Sequence, residues 1–237
     1  MTAAPGEHPG VGPDVLVAEV LGPPGAGKTT ILEALSSRLP ATITPVRAYR
    51  SRRLLPAYAR AGVAVAPMVW SGVRGAVDPW KHVNWMIRMQ ASTRVLTAQR
   101  PASGGVVLFD QGPAYTLVRL RRPVDETTAY ERWWRQMAER WARLLDVVIF
   151  LDAADEVLLE RIRGRTKAHA VKDIPAARAD RILTDYRRQC EDVAGALAAS
   201  GQGARVHRLD TSSGQLPHHI DAVLDALWPG RTQATSP

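Results

Sequence analysis

Two spacings of apolar residues alternate along this chain, one typical of buried strands and the other of helices. Short apolar runs rich in β-branched residues predict strands at residues 15–21, 106–110 and 147–151. Residues 42–46 are a further candidate strand and residues 205–209 are predicted as a last short strand, which gives five strands in all. Between most of them, apolar residues recur every three or four positions. This spacing predicts helices at residues 29–39, 80–99, 127–145, 154–163, 175–199 and 216–227, and the Arg-rich segment 47–60 is also expected to be helical. Residues 62–80 show no clear pattern.

The order of these elements predicts the fold class. Strands that alternate with helices form a parallel sheet with helices packed on both faces. A chain of 237 residues can build one large domain or two small ones. We predict a single α/β domain over residues 14–228, with residues 1–13 as a disordered leader and residues 229–237 as a disordered tail.

The cysteine content and the hydrophobic pattern exclude several classes of protein. Cys190 is the only cysteine, which excludes a disulfide framework, a Cys-rich zinc site and an iron–sulfur cluster. No apolar run approaches the roughly 20 residues of a membrane span. The first 13 residues lack the basic and apolar regions of a signal peptide. We therefore expect a cytoplasmic protein.

Basic residues outnumber acidic ones. The chain has 31 Lys and Arg against 23 Asp and Glu, which gives a formal net charge of +8 at pH 7. This excess favours anionic partners, a class that includes nucleic acid, membrane surfaces and phosphorylated small molecules. The alternative is that arginine is simply common on the surface of this protein. The positions of the arginines decide between the two.

A phosphate-binding motif follows the first predicted strand. Residues 22–29 read Gly-Pro-Pro-Gly-Ala-Gly-Lys-Thr and match the pattern G-x-x-x-x-G-K-[ST] at every fixed position. The motif lies between a predicted strand and a predicted helix, which is the context it requires. Its glycines let backbone N–H groups approach phosphates, and the start of the helix adds a positive dipole end. The chain here resembles the P-loop nucleoside triphosphate-binding proteins.

This resemblance assigns roles to individual residues. Lys28 is expected to reach the β and γ phosphates of ATP, and the hydroxyl group of Thr29 is expected to ligate Mg²⁺. The expected nucleotide-binding residues of the loop are Gly22, Pro23, Pro24, Gly25, Ala26, Gly27, Lys28, Thr29 and Thr30. The sequence has no N-K-x-D motif, so a GTPase is not favoured.

The helix predicted at residues 154–163 carries a second resemblance. Residues 158–165 read Leu-Leu-Glu-Arg-Ile-Arg-Gly-Arg and are similar to the helix that leads into the lid of nucleoside and nucleotide kinases. The resemblance implies a five-stranded parallel sheet in the order 2-3-1-4-5, sandwiched by helices, with a lid at about residues 164–173. It also implies that Arg161 stacks on the adenine and that Arg165 binds the transferring phosphoryl group. The alternative is a solvated basic helix end.

Asp110 ends the predicted strand that would lie beside the P-loop strand. Related kinases keep a carboxylate here, commonly followed by arginine, whereas this chain has Gln111. The resemblance makes Asp110 a candidate catalytic base or Mg²⁺ ligand, since both roles need an ionised acid near the γ phosphate. The alternative role is that of a helix cap. The usual acceptor-binding arginine is missing at Gln111.

The acceptor site is where the chain departs from its relatives. Kinases of this architecture bind the acceptor between the second-strand segment and the helix before the third strand, which here correspond to residues 47–60 and 85–94. Arginines in these segments suit an anion, and a tryptophan suits a planar acceptor, although tryptophan more often belongs to the core. The candidate acceptor-binding residues are Arg47, Arg50, Trp85, Gln90, Arg94 and Gln111.

The sequence thus predicts a kinase that uses ATP and Mg²⁺ to phosphorylate a small acceptor, with a nucleoside or nucleotide as the first choice. Lys28, Asp110 and Arg165 are the predicted catalytic residues. A kinase of a specialised metabolite such as an antibiotic is one alternative. A nucleotide-dependent regulatory or nucleic-acid-binding protein, which the net charge keeps open, is another. No membrane partner is expected, and a homodimer is left open.

Overall fold

The computed structural model describes residues 15–38, 55–73, 78–98, 105–121, 128–166, 169, 171–199 and 203–228, and their side chains except at 70–73, 92–98 and 105. This part of the chain forms four strands and eight helices. The strands are β1 (Val15–Leu21), β2 (Gly105–Asp110), β3 (Val147–Asp152) and β4 (Arg205–Asp210). The helices are α1 (Lys28–Arg38), α2 (Leu55–Val73), α3 (Pro79–Ala98), α4 (Pro113–Leu120), α5 (Ala129–Ala142), α6 (Asp155–Arg163), α7 (Ala176–Ala198) and α8 (Leu216–Leu227).

The strands form one parallel sheet in the order β2-β1-β3-β4. In the register, Val20 lies beside Asp110, and Leu21 lies beside Phe150. Because all four strands run in one direction, their carboxyl ends share one edge of the sheet. The loop after β1 therefore leaves the sheet between the ends of β2 and β3, a position where open α/β sheets bind ligands.

The α/β class and the parallel sheet are confirmed, but the predicted strand number is not. The described part of the chain shows four strands, and the predicted strand at 42–46 lies outside it. The order β2-β1-β3-β4 is the predicted order 2-3-1-4-5 without its first strand. The predicted leader and tail also lie outside the described residues. Across those residues, no helix combines the length and apolar character of a membrane span.

Two hydrophobic cores cover the two faces of the sheet. Val17 and Leu21 of β1 pack on one face with residues of α4, α5 and α7. Ala18 and Val20 pack on the other face with residues of α1, α6 and α8. This alternation is the expected period of a buried strand. It places Glu19, the single charged residue of β1, on the face covered by α4, α5 and α7.

Two helices differ from the prediction. Helix α2 continues to Val73, through a segment whose sequence gave no clear pattern. It is almost uniformly apolar and contains Pro67, so it lacks the polar face by which a helix is usually found. Helix α4 was missed because its eight residues are too few to show a period. The other helices lie within a few residues of their predicted ranges.

Candidate active site

The predicted P-loop connects β1 to α1, which begins at Lys28. Its glycines at positions 22, 25 and 27 have positive φ angles of 149°, 94° and 85°. At Gly25, a Cβ atom would lie 2.7 Å from the backbone oxygen of Leu158. Only glycine fits there, because the loop passes close to α6 in a conformation that other residues rarely adopt. The loop is thus built to present its backbone.

Lys28 braces the loop from within. Its Nζ atom donates hydrogen bonds to the backbone oxygens of Gly22 at 2.7 Å and Pro23 at 2.8 Å. The pKa of Lys28 is lowered to about 8, chiefly by burial and also by the charge of Arg165, while the charge of Asp110 acts in the opposite direction. Three predicted catalytic residues from separate parts of the chain therefore lie within electrostatic range of one another.

The side chains around the loop fit a nucleotide with its metal ion. Thr29 is exposed in the first turn of α1, and Asp110 is half-buried at the end of β2. No group of three or more His, Cys, Asp or Glu within the described ranges is placed to hold a metal ion. A hydroxyl group and a carboxylate are oxygen ligands of the kind that Mg²⁺ prefers, so Thr29 and Asp110 stay the predicted residues that would hold it.

Arg161 joins the P-loop to the end of β4. Its guanidinium group donates to the backbone oxygen of Gly25 at 3.4 Å and, on Thr211, to the hydroxyl oxygen at 3.2 Å and the backbone oxygen at 2.7 Å. The hydroxyl group of Thr211 also lies 3.3 Å from the backbone oxygen of Ala26. Its donors are thus engaged by the protein itself. The predicted stacking on adenine remains a prediction.

A cavity of about 360 Å³ lies beside the loop. Arg161 and Arg165 line it from α6 and the segment after it. The sequence analysis missed three further lining residues, Thr211 and Gly214 of the β4–α8 connection and His219 of α8. The available signal was their position directly after a parallel strand, because that places them at the same edge of the sheet as the P-loop.

The predicted lid segment begins after α6. Arg165 is exposed, and Lys172 donates a hydrogen bond from its Nζ atom to the backbone oxygen of Arg165. Burial lowers the pKa of His169, and the charges of Arg165 and Lys28 lower it further. The described part of this segment thus lies near the P-loop. Its closure over a nucleotide stays a prediction, and residues 167, 168 and 170 lie outside the described part.

Three of the predicted acceptor-binding side chains are described, and two of them contact neighbouring helices. On α3, the half-buried Trp85 contacts Tyr115 of α4 edge-on, with 6.0 Å between ring centroids. The Oε1 atom of Gln90, also on α3, accepts a hydrogen bond from Trp133 Nε1 of α5 at 3.1 Å. Gln111 is exposed and has a φ of 57°. The side chains of Arg47, Arg50 and Arg94 lie outside the described part of the chain.

Glu19 is a residue to which the sequence analysis gave no role. It is fully buried on β1 and accepts hydrogen bonds from the backbone N–H groups of Ala114 at 2.7 Å and Tyr115 at 2.8 Å. Burial raises the pKa of Glu19 to about 8, against the opposing effect of these N–H groups. The available signal was a lone charge in an apolar strand, since such groups are seldom buried without a specific partner.

Comparisons with known proteins agree with this arrangement. The sequence matches the model of the AAA domain family over residues 19–192, and no curated protein matches it. Among solved structures, the chain is similar to deoxyadenosine kinase from M. mycoides with dCMP and dCDP bound, at 15% identity and a TM-score of 0.51 over 89% of this chain and 97% of that one. The same kinase with bound dATP gives 15% identity and a TM-score of 0.48 over 89% and 98%. The first likeness shows a shared fold.

Proposed function

We propose that this chain, which belongs to the AAA domain family, transfers the γ-phosphoryl group of ATP to a nucleoside or nucleotide. The fold that it shares with a deoxyadenosine kinase supports a place among the P-loop nucleoside and nucleotide kinases. One observation carries the proposal. Arg165, which follows α6, lines one cavity with the P-loop, and Asp110 ends the strand that pairs with the P-loop strand. A carboxylate and two cations around a P-loop form the set that phosphoryl transfer needs.

In the proposed reaction, a hydroxyl oxygen of the acceptor forms a bond to the γ phosphorus while the bond from that phosphorus to the β–γ bridging oxygen breaks. Asp110 accepts the hydroxyl proton or holds the metal ion with Thr29. Lys28 and Arg165 bind the phosphate oxygens on which negative charge accumulates. Bound Mg²⁺ supplies further positive charge at the β and γ phosphates. The remaining acceleration comes from holding acceptor and phosphate in line.

The α3 side chains support a planar acceptor. Trp85 is a half-buried aromatic ring next to Tyr115, with the guanidinium carbon of Arg88 6.0 Å from its centroid. The bond from Trp133 fixes the orientation of the Gln90 amide. A fixed amide can read the edge of a base by hydrogen bonds. The similar deoxyadenosine kinase structure holds dCMP and dCDP, and we extend that class of ligand to this chain.

A kinase of a specialised metabolite is the second candidate. Its support is Gln111, which stands exposed where related kinases commonly place an acceptor-binding arginine. A neutral amide there suits an acceptor without a phosphate group. Among nucleoside-type acceptors, the same observation favours unphosphorylated nucleosides over monophosphates.

The test is a screen of acceptors with ATP and Mg²⁺. Nucleosides, nucleoside monophosphates and amino-sugar compounds are incubated separately with the protein, and ADP and the phosphorylated product are both quantified. We expect product only with members of the nucleoside class. Product with amino sugars alone would favour the second candidate, and ADP release that ignores every acceptor would overturn the proposed transfer.

The variant that tests the role of Asp110 is Asp110→Asn, which keeps the size of the side chain and removes its charge. We expect kcat to fall far more than ATP affinity, because Asp110 acts on the metal ion or the attacking hydroxyl. Nearly full kcat at saturating Mg²⁺ would show that Asp110 has only a structural role.

A further inference from the structure

We infer that Glu19 is a positioning residue, whose buried carboxyl group ties the P-loop strand to the first turn of α4 and thereby fixes Asp110 beside the P-loop. The inference deepens the proposed function and rests on it, because it concerns the same site. Glu19 itself does not contact the reacting atoms in this scheme. It acts through the backbone that carries Asp110.

The first support is the way in which α4 begins. Helix α4 starts at Pro113, which has no N–H group, and its N-cap residue Gly112 forms no side-chain cap. The next two N–H groups, those of Ala114 and Tyr115, would lack an intrahelical partner. Both donate to the carboxyl group of Glu19, at 2.7 Å and 2.8 Å. A residue of β1 therefore performs the capping that the sequence of α4 does not provide.

The second support is the packing of the turn between β2 and α4. Only Gln111 and Gly112 separate Asp110 from the helix, and Gln111 has the uncommon φ of 57°. A Cβ atom on Gly112 would lie 2.5 Å from the Cβ atom of Phe109 and 2.9 Å from Oε2 of Glu19. The turn is thus pressed against the carboxyl group, and its path depends on where that group lies.

The third support is the register of the two strands. Asp110 lies beside Val20, one residue after Glu19 on β1, and Phe109 lies beside Glu19 itself. Asp110 is consequently held on one side by its strand pairing and on the other by a turn that Glu19 anchors.

The experiment compares Glu19→Gln with Val17→Ala, a core substitution on the same face of the same strand. For Glu19→Gln we expect kcat to fall about 10- to 100-fold, as when a partner of a metal ligand is removed, while the KM for ATP changes less than about twofold. Hydrogen exchange should accelerate in the peptide spanning residues 110–115. Val17→Ala should lower the Tm and leave kcat and that peptide unchanged.

A double-mutant cycle tests whether Glu19 acts through Asp110. In the Asp110→Asn background, Glu19→Gln should have almost no further effect on kcat. Full, additive losses would overturn the positioning role, as would an unchanged kcat in Glu19→Gln. If Glu19→Gln fails to fold, Glu19→Met replaces it, since it keeps the volume without placing an amide donor against the N–H groups. An inactive wild type would instead refute the proposed function.

Discussion

The predicted nucleotide side and the predicted acceptor side of the candidate site are built from different kinds of contact. On the nucleotide side, Lys28, Arg161 and Thr211 all bond to backbone oxygens of the P-loop. On the acceptor side, side chains meet side chains, as Trp85 meets Tyr115 and Trp133 meets Gln90. A backbone-built site needs a short local motif, whereas a side-chain-built site needs several helices to meet correctly. Only the first kind is visible in a single sequence.

Among the variants that test this comparison, replacement of Lys28 is expected to have the largest effect on kcat. We expect Lys28→Ala to lower kcat by more than about 10³-fold, because the lost ammonium group faces phosphate charge. The Tm should change little, since the side chain serves the loop and its ligand more than the core. Steady-state kinetics and thermal unfolding test this, with Lys81→Ala on the exposed surface of α3 as the control. Comparable kcat in both variants would refute the assignment of the P-loop.

Arg161 and Arg165 are expected to affect different kinetic parameters. Arg165→Ala should lower kcat by about 10² to 10³-fold, as for removal of one preorganised donor from a charge-stabilising site. Arg161→Ala should instead raise the KM for ATP at a cost of roughly 0.5 to 2 kcal/mol, about 2- to 30-fold, as a lost stacking contact. Full kinetics of both variants separate the effects. Equal, small losses, together with salt-sensitive nucleic-acid binding that the variants weaken, would favour the regulatory alternative.

A smaller effect is expected on the acceptor side, from Trp133→Phe. This change removes the donor that orients Gln90 but keeps an aromatic ring in the core. The KM for the acceptor should rise about 2- to 10-fold, as for one hydrogen bond, while the KM for ATP stays constant. Trp134→Phe is the matched control, because its Nε1 atom donates to the backbone oxygen of Leu117 instead. A rise in both KM values for Trp133→Phe would show that the two sides are not independent.

The smallest effect concerns stability and pH. Glu19 has a folded pKa of about 8 against an ordinary 4.5. Its contribution to the free energy of unfolding is therefore full below about pH 4.5 and is lost as the pH rises through 8. Lys28 has a folded pKa of about 8 against 10.5, so the unfolded chain binds its proton more tightly and stability is regained from about pH 8 to 10.5. Together they predict a local minimum in Tm near pH 8.

The measurement is the Tm between pH 5 and 10 for the wild type and two variants. Glu19→Gln should flatten the acid side of the minimum, and Lys28→Met should flatten the alkaline side, each by a few degrees. Parallel curves for all three proteins would show that neither group carries the pH dependence.

The part of the fold that was predictable has local causes. Strands β1, β2 and β3 were predicted from apolar runs that the structure buries, and the P-loop was predicted from a motif eight residues long. Strand β4 was also predicted, although its residues are half-buried or exposed. Helix α4 and the role of Glu19 were not, because the cap of α4 lies 95 positions earlier in the chain. Thr211 was missed for the same reason, since its hydroxyl group acts on a loop 185 positions away. Contacts between residues so far apart in the chain produce no recognisable pattern of neighbouring residues in the sequence.

The bond between Arg161 and Thr211 also bears on how the protein is synthesised. Ala26 of the P-loop is synthesised 185 residues before Thr211, which lines the same cavity. Closing a chain segment of this length carries an entropic cost that only the completed sheet offsets. A nascent chain is therefore expected to display a glycine-rich loop without a nucleotide pocket until β4 pairs with β3. Nucleotide binding would then begin in a single step, once β4 and α8 have folded onto the sheet.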